Sequence, residues 1–573
     1  MTQQVFLTGG GKRWVVRPPA PPSFVHELGM PALWASLLFN RGVRSPAEAR
    51  SFLAAPRPGD PFALDGMDAA ASRVLRAVEG RERITVYGDF DADGVTASAL
   101  LFTALSRMGG NVSAYLPNRV SEGHGLNVAA LRQLRAEGAS LVITVDTGIT
   151  ASHEVEAANA LGIDTVITDH HLALAPAPPA VAVVTPPDAA GASPLRFLAG
   201  AGLAFKLAHA LYLARGEPLP DDLVGLAAVG TVADLTPLQG ENRVLVTAGL
   251  AALQRTPSPG ILALCETARQ RPDRLDTEAL SFGLVPRLNA AGRLGSPETS
   301  LRLLTASSLE EALPYAQTLE HLNRERQVIT DELSADALPV AQLQAKDSHL
   351  LFIAGAQFMP GINGLVASRM VDRFQRPAVV AAVADGVARA SARSVPGFNL
   401  AEALRSVSGH LVRHGGHAAA AGFVAREAEL RRVSEMLAAL AGAVLGGRDL
   451  TPSLVVDAVA APRTLLDDTL RFLERLGPFG QGNPTPLFLA RAMHVVEARR
   501  VGAEGRHLSL TLRGEGAVWD AVWFSSRGQD AVGSGLATGA AVDIVYSMSR
   551  DTRFPEGRPR LVVEDLRATQ RGA

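Results

Sequence analysis

A multidomain α/β chain ending in a small β-barrel is predicted from three features of the sequence. Its 573 residues exceed what a single hydrophobic core serves, so three or four units of ordinary size are expected. Apolar runs of four to six residues alternate with longer helix-like stretches from Ile84 to about Leu250, the pattern of a mostly parallel sheet with crossover helices. After about Leu454 the segments shorten and alternate in strand fashion between Gly-rich turns.

Taken in order, the first 60 residues read as a small helical cap. The Pro-rich stretch from Pro18 to Pro22 gives way to short amphipathic pieces, and Ser45 before Pro46 is a helix start. Polar residues interleaved with Leu319, Leu322, Ile329 and Leu333 predict a long connecting helix, with Ser308 and Glu311 as its capping box and Pro314 as a kink point. A second α/β unit is expected from about Leu350 to Leu445, then a linker at Gly446-Gly447-Arg448-Asp449. The barrel strands are most legible at His507-Leu508-Ser509-Leu510-Thr511-Leu512 and Val542-Asp543-Ile544-Val545-Tyr546. Alternation there places every second side chain on one face. Ala173 to Pro187, rich in Ala and Pro, reads as a surface loop.

Composition narrows the class. Hydrophobic residues make up 47% and charged residues 20%, and no uninterrupted apolar run approaches the ~20 residues that span a bilayer. The N-terminus carries no charged-then-apolar signal pattern, so a soluble, cytoplasmic protein is expected. The single cysteine, Cys265, rules out an intrachain disulfide and a thiolate metal cage, and its apolar neighbours predict a buried position. A net charge of −2 argues against a uniformly basic surface, so any nucleic-acid path must be local. Lysine occurs only at positions 12, 206 and 346, so of the 55 basic side chains nearly all are guanidinium groups, suited to forked phosphate contacts.

Ionisable residues gather where apolar strands are predicted to end. Ile84-Thr85-Val86-Tyr87-Gly88 runs into Asp89-Phe90-Asp91-Ala92-Asp93-Gly94, and carboxylates this close need cations to offset their repulsion. Leu141-Val142-Ile143-Thr144-Val145 leads to Asp146-Thr147-Gly148, and Thr165-Val166-Ile167-Thr168 leads to Asp169-His170-His171. Open α/β sheets bind ligands at the carboxyl ends of their strands, where neighbouring loops converge. Asp234, in Val229-Gly230-Thr231-Val232-Ala233-Asp234, is read as a fourth such terminus. Aspartates with imidazoles and no thiolate favour Mn²⁺ or Mg²⁺ over structural zinc. His153 and His209 sit on helix-like stretches and are expected to be surface or core residues.

The motifs at Gly88–Gly94, at Val145-Asp146-Thr147-Gly148 and at Asp169-His170-His171, in this order, resemble the signature of the DHH phosphoesterase superfamily. Four further segments, residues 118–127, Thr231-Val232-Ala233-Asp234, residues 286–294 and residues 361–369, narrow the resemblance to the RecJ family. Residues 415–422 resemble the glycine-rich core of the companion DHHA1 domain, and residues 478–484 the start of an OB-type domain. The resemblance extends over nearly all of residues 80–570. Together with the helical cap at 1–60, it implies a parallel-sheet DHH domain at 61–305, a long helix at 306–345, a smaller α/β DHHA1 domain at 346–447 and an OB-type single-strand-binding barrel at 448–573.

What the resemblance implies about activity is single-stranded-DNA-specific 5′→3′ exonuclease action, releasing 5′-mononucleotides in recombinational and other DNA repair. Two ions of Mn²⁺ or Mg²⁺ would be held by Asp89, Asp91, Asp93, Asp146, His170, His171 and Asp234. The superfamily pattern fits Asp89 and Asp91, whereas spacing alone also permits Asp91 and Asp93. Asp169 would orient an imidazole. Substrate contacts are expected from Arg119, from Arg287, Asn289 and Arg293 in a loop, from Ser368, Arg369 and Arg393, and from Gly415, Gly416 and His417, where glycine lets the backbone approach a phosphate. Trp519, Trp523 and Phe524, with Arg506 or Arg513, are candidates for stacking on a single strand. The chain departs from the family pattern at His124, commonly tyrosine, and Met359, often histidine. The implied partners are single-stranded DNA, single-stranded-DNA-binding protein and a RecQ-type helicase, with a monomeric chain and no membrane. Rival readings are a small-substrate phosphoesterase of the same superfamily, acting on short RNA, cyclic dinucleotides or pyrophosphate, and a non-catalytic single-strand-binding scaffold.

Overall fold

The computed structural model describes residues 4–7, 12–54, 57–118, 122–123, 125–172, 176–187, 193–502, 505, 507–524, 536–551 and 557–569. These fall into two compact units, one of Arg57–Leu450 with Gly480–Gly482, the other of Met1–Pro56, Thr451–Phe479 and Asn483–Ala573.

The larger unit is built on a five-stranded parallel sheet: β1 (Arg83–Gly88), β2 (Asn111–Tyr115), β3 (Leu141–Val145), β4 (Asp164–Thr168) and β5 (Ala182–Val184), in the order β2-β1-β3-β4-β5. β1, β3 and β4 are rich in Val, Ile and Thr and almost wholly buried, as strands covered by helices on both faces must be. Gly88 pairs with Val145 and Val145 with Thr168, so these three strands end level with one another. Asp89, Asp146 and Asp169 therefore leave the sheet side by side.

Helix α1 (Ala92–Arg107) follows β1 directly, capped by Asp91, whose carboxylate accepts the Asp93 and Gly94 N–H groups at 2.9 and 3.1 Å. Gly94 is required there, because a Cβ would stand 2.6 Å from the Asp89 backbone. The sheet stops at Val184, earlier than the run of apolar segments suggested. Residues 200–305 fold instead as helices, among them α2 (Gly200–Ala214), α3 (Asp221–Ala233) and α4 (Val285–Leu294). Runs such as Leu203-Ala204-Phe205 are apolar all round and buried, and periodicity does not separate a short buried strand from a turn of buried helix. Cys265 is buried in this helical layer, and burial pushes its thiol up to about 11.

Helix α5 (Leu309–Gln344) runs 36 residues in one piece through both Pro314 and Pro339. Ser308 caps it through the Glu311 N–H at 3.2 Å, while Glu311 reaches back to the N–H and hydroxyl of Ser307 at 2.8 Å. Beyond it a second sheet forms from β6 (Leu351–Gly355), β7 (Ala378–Ala384), β8 (Val387–Arg393), β9 (Arg413–Gly416) and β10 (Ala420–Arg426), in the order β9-β10-β8-β7-β6. Only the β6–β7 pair is parallel, and helix α6 (Asn363–Phe374) crosses between these two strands.

The other unit contains the barrel: β11 (Phe488–Val501), β12 (His507–Gly514), β13 (Ala517–Trp523), β14 (Ala541–Asp551) and β15 (Arg558–Ala568), in the order β11-β12-β13-β15-β14. β14 pairs back onto β11, so these five strands close into a barrel, with the two-residue strand Ala458–Val459 added in parallel at the start of β11. Residues expected to form a separate cap belong to this unit. The strand Arg13–Val16 pairs in parallel with Ser453–Val456, and Trp34 stacks on Phe472 at 4.4 Å. Ser45 caps the helix Pro46–Leu53 as its Ser-Pro start requires. Among the described residues no helix is long and apolar enough to cross a membrane.

Candidate metal centre

The loops after β1, β3 and β4 deliver six of the expected ligands to one place. Asp89, Asp91 and Asp146 form one group, Asp146, His170 and His171 a second, and Asp93, His170 and Asp234 a third, with the donor atoms of each group within 4.8 Å of one another. Because Asp146 and His170 are shared, the three groups make one continuous set of seven side chains. Asp234 arrives differently from the sequence reading. It closes helix α3 at its C-cap and does not end a strand. Gly230, one turn earlier, brings α3 close to the start of α1: a Cβ there would lie 2.7 Å from Asp93 Oδ1 and 2.3 Å from Thr96 Oγ1.

The fit of these residues to divalent cations is testable on two atoms. Asp146 Oδ1 and His170 Nε2 lie 3.0 Å apart, both buried, yet neither makes an aligned hydrogen bond among the described residues. His170 Nε2 is also 3.6 Å from Asp234 Oδ2. Buried polar atoms of native proteins are almost always satisfied, so a pair left unsatisfied amid carboxylates calls for a ligand between them. Hard oxygen donors with imidazole and no thiolate suit Mn²⁺ or Mg²⁺. Asp146 itself sits at φ 60°, in the left-handed region that aspartate tolerates better than most residues. Its side chain is pressed by Gly200, where a Cβ would come within 2.5 Å of Asp146 Cβ.

Electrostatics point the same way. Burial, with the charges of Asp234 and Asp91, pushes Asp93 up to about 7, against the opposing pull of His170 and the Ala201 N–H. Burial and the neighbouring Asp93 and Asp91 raise Asp146 well above the usual carboxylate range. Asp234 is pushed up to about 6 by burial, with Asp91 adding to the rise. Without cations these carboxylates repel one another, and bound cations reverse that balance. Asp93 is anchored by the Gly200 and Ala201 N–H groups at the start of α2, at 2.8 and 2.9 Å. Sequence reasoning missed these two amides, whose only signal was the small-residue run Ala199-Gly200-Ala201-Gly202.

Asp169 stands outside the donor groups and holds the second histidine. It accepts the Ile149 N–H at 2.9 Å and the His171 N–H at 3.1 Å, and its Oδ1 is 2.7 Å from His171 Nδ1. Burial alone would lower His171, but the Asp169 hydrogen bond and the charges of Asp169 and Asp146 outweigh it and raise the imidazole to about 9. Burial would likewise raise Asp169, and the bond to His171 holds it below its ordinary value. His417, just after β9, lies nearly parallel to His171 with ring centroids 5.9 Å apart. The second sheet thus contributes a side chain to the centre. Burial, then His171 and His170, lower its pKa.

The remaining expected contacts are distributed. Arg119 lies outside the described residues. Arg287, Asn289 and Arg293 are on helix α4, where the sequence suggested a loop. Arg287 Nε bonds Glu320 Oε2 at 2.7 Å, and Asn289 Oδ1 accepts the Ala92 N–H at 3.0 Å, so it props the first turn of α1. Arg293 donates to the Gly361 carbonyl at 3.1 Å. Ser368 donates to the Gly364 carbonyl, and Arg369 pairs with Asp331 at 2.6 Å while also bonding Thr330 O and Ser334 Oγ. Arg393 donates to Ala392 O. Gly415 is exposed with open space where a Cβ would be, and Gly416 adopts φ 125° against the Ala420 and Ala421 backbone. In the barrel, Trp519 and Trp523 belong to the hydrophobic core, at 8% and 2% exposure, so neither offers a face for stacking. Arg506 lies outside the described residues.

Comparison with known proteins matches three family models: the DHH family, N-terminal domain, at residues 83–231, the DHHA1 domain at residues 347–444, and the RecJ OB domain at residues 456–565. The chain is 37% identical over 565 residues to the single-stranded-DNA-specific exonuclease RecJ of Bacillus subtilis, covering 97% of this chain and 71% of that protein. It is 34% identical over 520 residues to the Escherichia coli protein of the same description, covering 87% and 89% of the two chains. Among solved structures, RecJ of Thermus thermophilus in complex with Mn²⁺ superposes with a TM-score of 0.82 at 31% identity, over 97% of this chain and 80% of that one. Its complex with Mg²⁺ gives 0.76 at 30% identity, over 97% and 78%.

Proposed function

The chain belongs to the RecJ family of single-stranded-DNA-specific exonucleases, and from that membership we propose that it digests single-stranded DNA from the 5′ end and releases 5′-mononucleotides in recombinational and other DNA repair. It is a metal-dependent exonuclease of single-stranded DNA using Mn²⁺ or Mg²⁺. The observation that carries the mechanism is the convergence of seven donors around the unsatisfied Asp146 Oδ1 and His170 Nε2.

In this reading Asp89, Asp91, Asp93, Asp146, His170, His171 and Asp234 hold the cations. Two cations held there would supply charge for the scissile phosphate, a water acidified enough to attack it, and stabilisation of the leaving 3′-oxygen. The protein's own work is preorganisation. The α2 amides hold Asp93, Asp169 holds the His171 ring, and Asn289 holds the start of α1, so the donors are set before substrate arrives. His417, with the open backbone at Gly415 and the neighbouring Gly416, faces this centre as the contact for the terminal nucleotide, and the family resemblance assigns Arg119, Arg393, Arg293 and Ser368 to the same substrate. Arg287, Asn289 and Arg369 act in this scheme by holding helices together.

Single-stranded-DNA-binding protein and a RecQ-type helicase are the proposed partners of a monomeric, cytoplasmic enzyme. This part of the proposal comes from the family resemblance.

The test incubates the full chain with Mn²⁺ and matched oligonucleotides, single- or double-stranded and labelled at either end. Mononucleotides released progressively from the 5′ end of the single strand are expected. Intact DNA alongside hydrolysis of dinucleotides would overturn the proposal.

A further inference from the structure

Helix α5 carries one regular buried stripe: Ala312, Ala316, Leu319, Asn323, Thr330, Leu333, Ala337 and Ala341. The spacing of three and four residues leaves one place between Asn323 and Thr330, and it is taken by Arg326. Ala312, Ala316 and Leu319 belong to the core beneath the parallel sheet, and Leu333, Ala337 and Ala341 to the core beneath the second sheet. The stripe is therefore apolar at both ends and polar only where the helix passes from one core to the next.

Three helices bring guanidinium groups to that gap. Arg287 reaches it from α4 and is held by Glu320, which also accepts from Arg324 at 2.6 Å. Arg369 reaches it from α6 and is held by Asp331 and by the carbonyl of Thr330, one turn beyond Arg326. Glu320 and Asp331 are thus already engaged. Arg326 differs: it donates to Asn323 Oδ1 at 2.9 Å, its Nε is buried with no hydrogen-bond partner, and among the described residues no carboxylate pairs with it. A half-buried guanidinium with an unsatisfied nitrogen is costly, and an anion would complete it. Burial and the charges of Arg369 and Arg287 act on Arg326 in the same unfavourable direction, against a smaller pull from Asp331, as an incomplete site would have it.

The gap is linked to the metal centre through one helix. Helix α4, which presents Arg287, props α1 through Asn289, and its Gly292 packs on the carbonyl of Phe90 in the ligand loop. We propose that Arg326, flanked by Arg287 and Arg369, binds a backbone phosphate of the single strand in the polar gap of α5. The inference rests on the nucleic-acid reading above. It assigns a contact to a residue that no motif singled out. Arg is suited to it, since its planar fork meets two phosphate oxygens at once.

The experiment measures binding of a 3′-labelled 20-nucleotide single strand to the full chain without added divalent ion, over a series of salt concentrations, for the native protein, R326Q and R326K, with a melting curve for each. A phosphate contact on a single strand contributes about 0.7 to the slope of log affinity against log salt. R326Q should lose about that much slope and roughly tenfold in affinity while melting no lower than the native chain. R326K should keep most of the slope. Unchanged slope and affinity in R326Q would overturn the proposal, as would a lower melting temperature with unchanged slope, which is the behaviour of a structural strut. Failure of the native chain to bind the strand would instead sink the nucleic-acid reading on which the proposal stands.

Discussion

Asp169 Oδ1 lies 2.7 Å from His171 Nδ1, and the same carboxylate accepts the His171 backbone N–H at 3.1 Å. The aspartate thereby fixes both the ring and the backbone that carries it. A carboxylate this deeply committed to one imidazole selects the tautomer with Nδ1 protonated and leaves Nε2 as the donor for a cation.

Asp169→Ala should therefore weaken cation binding about 10- to 100-fold without abolishing it. A Mn²⁺ titration of activity and of the Mn²⁺ spin signal reads this directly, and excess Mn²⁺ should restore much of the rate. Unaltered Mn²⁺ affinity would remove Asp169 from its supporting role.

Asp146 is shared by two donor groups, so its loss should disable the whole centre. Asp146→Asn is the cleaner variant, because asparagine also tolerates the left-handed backbone at φ 60°. Cleavage should fall on the order of 10³-fold, as several kcal/mol of lost charge stabilisation require. Single-strand binding should stay within twofold of native. Equal loss of both would show that the centre also carries binding.

The raised carboxylates make stability depend on pH and metal together. Asp93 is pushed up to about 7 and Asp234 up to about 6, so the protonated forms favour the folded, metal-free chain. Their stabilising contribution is fully present below the ordinary aspartate value near 4 and is lost as pH rises through 6 and 7. Cations replace those protons. Melting curves in EDTA and in Mn²⁺ should show a larger metal-induced rise at pH 8 than at pH 5.5, and an equal rise at both would contradict the assignment.

Asn289 caps a buried N–H of Ala92 in the turn that holds Asp91 and Asp93. Asn289→Ala should cost about 1–2 kcal/mol in urea unfolding, with the slope unchanged, since a donor is left without its acceptor. A free phosphate-binding side chain would instead leave stability untouched and weaken DNA binding.

Trp523 lies in the barrel core at 2% exposure. Trp523→Ala should cost about 3–5 kcal/mol of barrel stability. Native stability with weakened strand binding would return it to the role of a stacking platform.

Much of the centre is legible in the order of amino acids. Asp89, Asp146 and the Asp-His-His run each follow a buried β-branched segment, and parallel strands of matched register necessarily bring such positions together. Asp234 is identified by its chemistry but misplaced by its surroundings, because Val229-Gly230-Thr231-Val232 reads equally as strand or buried helix. The loop assigned to Arg287, Asn289 and Arg293 is instead helix α4, whose first turn accommodates Pro286, a position where proline is tolerated.

The amino-acid order alone specifies the kinds of donor, their succession and their attachment to strand ends, along with the long helix and the alternating strands of the barrel. Those features are local: they depend on side-chain chemistry and on periods of 2 and 3.6 residues. Packing, and nothing short of it, settles that Asn289 serves α1, that Trp519 and Trp523 face inward, that Gly200 and Ala201 anchor Asp93, and that Arg326 Nε is buried without a hydrogen-bond partner among the described residues. Hydrogen-bond partners, burial and charge balance are relations between segments far apart in the chain, and they exist only once those segments have come together.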